Sequence, residues 1–215
     1  MTSLPALPRL LLLTDRSQLR LGRGLVRTVT ECVDAGLGQV VVREHDLAAT
    51  ARRALVAALA DVPGLSVISS RIPDPAAHGF HEPARPAPCN AESTVLRTPP
   101  ARCEVARTAR YKPGEGVRGR SCHDIAEVRR AAAEGVDYVT LSPFATTPSK
   151  PGYGPPLDPS AYADHPIPVF ALGGVTLDNA ARAREAGAHG VAVMGAVMRA
   201  DDPAAVVARL LEEVR

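Results

Sequence analysis

The sequence predicts a (β/α)8 TIM barrel built as a single domain over residues 1–215, and three observations predict it. Short apolar runs of strand length alternate with helical stretches about eight times, the signature of parallel βα units. The 215 residues are enough for eight small units around one core. No Gly-x-Gly-x-x-Gly follows the first apolar run, which weakens a dinucleotide-binding sheet as the alternative.

The elements follow in order. Leu10–Thr14 is the first strand, with Thr14, Asp15 and Arg16 at its carboxyl end. Leu25, Val26, Val29 and Val33 give Gly24–Ala35 helical spacing, and Gly36 stops it. Gln39–Val42 is the second strand, leading into Arg43, Glu44, His45 and Asp46; the alanine-rich Leu47–Ala60 is a helix. Leu65–Ile68 is the third strand, followed by Ser69, Ser70 and Arg71. A short helix is expected near Asp74–Ala77 and a very short fourth strand at Gly79–His81.

The pattern then fails. Residues 82–116 are rich in proline and arginine, and Ala101–Arg110 is the one helical candidate there. A loop of this length is either a functional lid or a surface insertion. Order returns with a strand at Val117–Arg120, a turn at Ser121, Cys122 and His123, and a helix at Asp124–Glu134. Asp137–Leu141 is a strand, and Ser142–Pro156 is a loop containing Lys150. Ile167–Leu172 is an uncharged strand stopped by Gly173 and Gly174, before a helix at Ala180–Ala186. Gly190–Met194 is the last strand, broken by Gly195 and followed by the short Ala196–Met198; Pro203–Val214 closes the chain as an amphipathic helix.

Composition narrows the function. A net charge of +2, scattered arginines and 3% aromatic residues point to neither nucleic acid nor membrane surface. Leu10–Leu13 is too short to span a bilayer, and no basic stretch precedes it as in a secretory signal. Cysteines at 32, 89, 103 and 122 form no Cys-x-x-Cys pair and fit a reducing compartment. A cytoplasmic protein is expected, with self-association left open.

In a barrel the ligand site lies at the carboxyl ends of the strands. The polar residues there are Asp15, Arg16, Arg43, His45, Ser69, Ser70, Arg71, His81, Ser121, His123, Thr147, Ser149 and Lys150. The set is cationic and hydroxylic, which suits anions and suits Mg²⁺ poorly. Gly173–Gly174 and Met194–Gly195, at two adjacent strand ends, would hold a phosphate by backbone N–H groups. Arg43 either contacts a ligand or pairs with Glu31, Glu44 or Asp15. His123 either moves a proton or bonds a local carbonyl. Lys150, with Thr147 and Ser149, either wraps a phosphate or is an exposed loop cation. His45 and His81 read as polar rim residues with a lesser claim to function. Cys122 beside His123 has the look of an activated thiol, but adjacent side chains diverge.

The stretches SCHDIAEV, VDYVTLSPFATTPSKPGYG, IPVFALGGVTLDN and AGAHGVAVMGAV, with fair matches at LLLLTDR and VVVREHD, form an ordered set of motifs. With them the chain resembles the thiamine phosphate synthase superfamily, which includes the TenI-type thiazole tautomerases. The resemblance implies a thiazole phosphate held at Gly173, Gly174, Met194 and Gly195, with Thr147 and Ser149 assisting. In the synthases the thiazole nitrogen attacks a hydroxymethylpyrimidine carbocation as pyrophosphate leaves, and Arg43, Ser121 and Lys150 match residues that handle pyrophosphate.

The departures lie elsewhere. The second strand has Val41 and His45 where the synthases have glutamine and lysine. The third ends in Ser69 and Ser70 where they have Asn-Asp, the aspartate binding Mg²⁺. No second metal aspartate follows His81, unless Glu82 substitutes. The TenI branch also lacks those aspartates and has a catalytic histidine at the position of His123. The expectation from sequence is therefore a metal-independent tautomerase acting on a small phosphorylated heterocycle. Catalysis falls to His123, Arg43 and Lys150, with no cofactor. The alternatives are a synthase with a degenerate Mg²⁺ site, or a repurposed or non-catalytic phosphate-binding barrel.

Overall fold

Four-residue apolar runs such as LLLL at β1 (Leu10–Leu13) and GVAV at β8 (Gly190–Val193) are buried at every position. Strands lined on one side by barrel interior and on the other by helices have no wet face. The computed structural model describes residues 7–20, 22–85, 116–147 and 154–215. Between β1 and β8 come β2 (Gln39–Val42), β3 (Ser66–Ser70), β4 (Gly79–Glu82), β5 (Val117–Cys122), β6 (Tyr138–Leu141) and β7 (Val169–Leu172). All pair in parallel in sequence order, and β8 returns to β1 through Leu10↔Val191 and Leu12↔Val193. This is the closed barrel that the sequence predicts.

The described helices are α1 (Leu25–Asp34), α2 (Ala49–Ala60), α3 (Ile125–Ala133), α4 (Ala180–Glu185), α5 (Gly195–Met198) and α6 (Pro203–Glu213). Asp124 and Asp202 cap α3 and α6 by accepting from Glu127 N–H and Ala205 N–H. None is long and apolar enough to cross a membrane.

The structure corrects four boundaries. β3 runs through Ser69 and Ser70, and β5 through Ser121 and Cys122, so these residues are strand and not loop. Asp74–Ala77 is a turn, closed by Ala77 N–H on Asp74 O and by Ala76 N–H on the Asp74 carboxylate. Pro73 and Pro75 lack the N–H groups a helix needs. β7 begins at Val169, after Pro166 and Pro168. Residues 86–115 lie outside the described residues, and with them the Ala101–Arg110 expectation.

Alternation sends every second side chain inward. Leu11, Leu13, Val41, Ile68, Tyr138, Phe170 and Ala192 fill the interior. Their neighbours pack outward against the helices. On the outer face of β4 and β5 the alternation places charges instead. Glu82 accepts from Arg118 at 2.7 Å and from Arg120 at 2.6 Å, and Arg120 also reaches Glu134 at 2.7 Å. Burial pushes the Glu82 carboxyl up, but the arginine hydrogen bonds outweigh it and hold it below its usual range. This removes Glu82 as a substitute metal ligand: it faces away from the mouth and its oxygens are taken.

Candidate active site

The carboxyl ends of β2 and β3 build one side of the mouth. Arg43 continues the inward register of Val41, and its Nη1 lies 2.6 Å from Met194 Sδ across the opening. Neither Arg43 nor Arg71 forms an ion pair among the described residues. The carboxylates considered for Arg43 are committed elsewhere: Glu44 to Arg16 at 2.9 Å, Glu31 to Arg23 and Arg27. Asp15 accepts from Ser17 and Gln18; burial raises its pKa, but these bonds and the charge of Arg43 prevail and lower it.

Arg71 sits at φ 61°, a conformation rarely adopted by a residue with a side chain. It is held there by its own N–H on His81 O and by Ile72 N–H on Ser70 O. Backbone strain of this kind gathers at functional sites. Beneath it, Arg52 enters from α2, fully enclosed, and donates to Val42 O, Ser69 Oγ and Ser70 O. His45 approaches Ser70 O at 3.2 Å. Burial, then Arg71 and Arg43, lower its pKa, so its neutral form is favoured.

The next two strands carry the histidines. His81 is buried inside the barrel, between Tyr138 Oη at 3.0 Å and Ser121 Oγ at 3.0 Å. This corrects its reading as a rim residue. Burial drives its pKa down to about 4, with Arg43 and Arg71 adding to the effect. His123 lies at the lip, with Nδ1 3.1 Å from Ser142 Oγ and its backbone N–H on Glu127 Oε2. Cys122 points outward and is fully buried, and burial pushes its thiol up to about 12, which excludes a ready thiolate.

Opposite stand the turns after β7 and β8. Gly173 and Gly174 have φ 91° and 69°. A side chain on Gly174 would meet Ala145 O at 2.4 Å, so this glycine is required for seating the β6 loop. The carbonyls of Leu172, Gly173 and Gly174 accept from Phe144 N–H, Ala145 N–H and Asn179 Nδ2 respectively. The turn thus spends its carbonyls on the protein, and its amides are the groups available to a guest. At β8 the Arg199 guanidinium packs over Gly195, where a Cβ would otherwise stand, and donates to Gln18.

The structure therefore brings Arg43, His45, His81, Ser121, His123, Gly173, Gly174, Met194 and Gly195 to one end of the barrel, with Thr147 in the loop after β6. Ser149 and Lys150 lie outside the described residues. A hollow of about 480 Å³ opens at the other end, by Arg9, Pro168 and His189, where its arginines bind backbone carbonyls and His189.

A divalent metal does not fit the β3 end. Ser69 Oγ is used twice, accepting from Arg52 and donating to Ile72 O at 2.6 Å. Ser70 O already receives Arg52, and Arg43 and Arg71 add positive charge where Mg²⁺ would want carboxylates. Among the described residues no cluster of three His, Cys, Asp or Glu could hold a metal.

Known proteins resemble this chain. Residues 101–197 match the model of the family described as thiamine monophosphate synthase. A putative thiamine-phosphate synthase from Geobacter sulfurreducens is 34% identical over 206 residues, covering 90% of this chain and 88% of that protein. The chain belongs to the thiamine phosphate synthase family. A thiamine-phosphate synthase from Prochlorococcus marinus is 31% identical over 212 residues, 95% of this chain but 56% of the relative's length. The thiamine phosphate pyrophosphorylase structure from Pyrococcus furiosus superposes with a TM-score of 0.74 at 21% identity, covering 96% of this chain and 95% of that one, and shows the shared fold.

These findings overturn the tautomerase expectation. Two relatives that match along most of the chain carry synthase names, in keeping with the thiamine phosphate synthase alternative. Within this family member, sequence reasoning missed Arg52, Tyr138 and Arg199. A tyrosine at an inward strand position was a usable signal, because a buried phenol needs a partner. Arg52 gave none, since an arginine in an alanine-rich helix reads as solvent-facing.

Proposed function

We propose that this chain is a transferase of the synthase type, joining a hydroxymethylpyrimidine diphosphate to a thiazole phosphate with release of diphosphate. One observation carries the reading: the mouth has two separate anion-handling sides. Arg43 and Arg71, without ion-pair partners among the described residues, stand at β2 and β3, and the glycine turns stand at β7 and β8. Isomerising one phosphorylated ring would need one such side; coupling two phosphorylated substrates uses both.

The bond broken joins the pyrimidine methylene carbon to a diphosphate oxygen; the bond formed joins that carbon to the thiazole nitrogen. The nitrogen brings its own lone pair, so no base is required to activate it. What needs help is the charge growing on the leaving oxygen. Arg43 and Arg71 supply fixed charge and forked donors there, and the Ser121 hydroxyl adds a further donor. The thiazole phosphate rests against the amides of Gly173, Gly174 and Gly195, which fixes the nitrogen's approach.

The test is direct. Purified protein given both substrates in excess chelator should form thiamine phosphate and diphosphate. Formation only with added Mg²⁺ would keep the transferase and discard the metal-free site. No coupling under either condition would discard the reading.

A further inference from the structure

We infer that Tyr138 and His81 act as positioning residues that fix the Ser121 hydroxyl as a hydrogen-bond donor aimed out of the barrel. Three side chains share their protons along one line. Tyr138 is fully enclosed among Leu11, Val41, Ile68 and Phe170. Among the described residues its phenol has one hydrogen-bond partner, His81 Nδ1 at 3.0 Å. Thr140 Oγ1, on the same strand and facing the same way, has no hydrogen-bond partner among the described residues, so it offers the phenol no second acceptor. A buried O–H left unpaired is expensive, so the Tyr138 proton belongs on His81 Nδ1.

That assignment decides the rest. The ring is neutral, because burial and the nearby arginines disfavour its charged form. A neutral imidazole with an accepting Nδ1 carries its proton on Nε2. Nε2 lies 3.0 Å from Ser121 Oγ and donates to it. Ser121 Oγ then spends a lone pair on the histidine, and its own hydrogen is left for the mouth. The reverse arrangement would strand the Tyr138 proton in an apolar layer and turn Ser121 inward, presenting lone pairs to an anion.

Gly119 makes the geometry possible. A Cβ there would meet the Tyr138 ring at 2.2 Å and its hydroxyl at 2.4 Å, so only glycine on β5 lets the phenol reach His81. A donor facing a phosphate oxygen forms a charge-assisted bond, and a hydroxyl fixed in that sense need not reorient when the anion arrives. The use of that donor rests on the proposed anion chemistry of the mouth, but the proton assignment does not.

The test separates the two. Long-range ¹H–¹⁵N correlation spectra of the ligand-free protein, with His81 assigned through its contact to the Tyr138 ring, should show the Nε2–H tautomer. Tyr138→Phe should convert it to a mixture. An Nδ1–H tautomer in the native protein overturns the inference, whatever the enzyme does. Inorganic diphosphate affinity, by calorimetry in chelator, should fall roughly tenfold in Ser121→Ala and about threefold to tenfold in Tyr138→Phe. In the double variant Tyr138→Phe should add nothing further, because both changes remove one donor. If the two losses multiply, Tyr138 acts through general packing and the positioning role is wrong.

Discussion

The two sides of the barrel mouth offer groups of different kinds. At β7 and β8 the available groups are backbone amides on glycine turns, with carbonyls tied to Ala145 N–H and Asn179. At β2 and β3 they are guanidinium groups, that of Arg71 on a left-handed backbone, with Arg52 buried beneath as a fixed charge. A backbone site depends on chain path and tolerates drift in side chains. A side-chain site can be rebuilt, and here Ser70 stands where the family resemblance implies a metal aspartate. The difference teaches where to look for what is individual in this chain: on the side where charge is carried by side chains.

The sharpest way to break this division is Arg43→Ala. Loss of a preorganised donor from a site of developing charge costs roughly 10²–10³-fold in turnover. We expect kcat/KM to fall by that factor while KM for thiazole phosphate stays unchanged. Arg43→Lys should recover only part, since it restores charge but not the planar fork. Steady-state kinetics with each substrate varied separately checks this. An equal loss of thiazole phosphate binding would show that the mouth is one electrostatic field and not two sides.

A smaller effect is expected from Ser70→Asp. The new carboxylate would face the mouth beside Arg71 and Arg43 and compete with the leaving group for them. Diphosphate affinity in chelator should fall about tenfold, while the neutral Ser70→Asn changes it little. Calorimetry with and without Mg²⁺ reads both. If the aspartate variant binds diphosphate more tightly than the native protein once Mg²⁺ is added, the metal geometry survives and the arginines are no substitute for it.

How much of this was legible in the sequence depended on which force fixed each feature. The eight strands were legible because apolar runs between glycines and polar turns admit few other structures. Gly173–Gly174 was legible as a turn, but half of its meaning was not. Gly174 is small to seat the Ala145 carbonyl, a contact between residues remote in the chain. His81 was misplaced because its four-residue strand, GFHE, is too short to show alternation. Once the register is known, His81 must face inward and Glu82 outward. The absence of carboxylates at Ser69 and Ser70 is plain in the sequence, and in the sequence alone it reads as a sign of different chemistry. The buried Arg52 and the αL backbone of Arg71 show another outcome, a site whose charge comes from arginines, and neither leaves a local sequence signal.

The smallest effect is expected at His123, and it sharpens the comparison because this residue lies between the two sides. Its backbone N–H is held by Glu127 Oε2 at 2.6 Å and its Nδ1 faces Ser142 Oγ at 3.1 Å. These bonds orient the loop between β5 and α3 against the end of β6. A displacement by the thiazole nitrogen removes no proton from carbon, so the imidazole has no obligatory proton to carry. His123→Gln keeps a hydrogen-bonding side chain of similar reach and discards the imidazole. Turnover should stay within about threefold of native, far from the 10²–10⁴-fold that a general acid or base contributes. The pH–rate profile of the variant should match that of the native protein. A hundredfold loss together with a changed profile would mean that a proton step limits the reaction. The charge held at β2 and β3 would then not be the main source of catalysis.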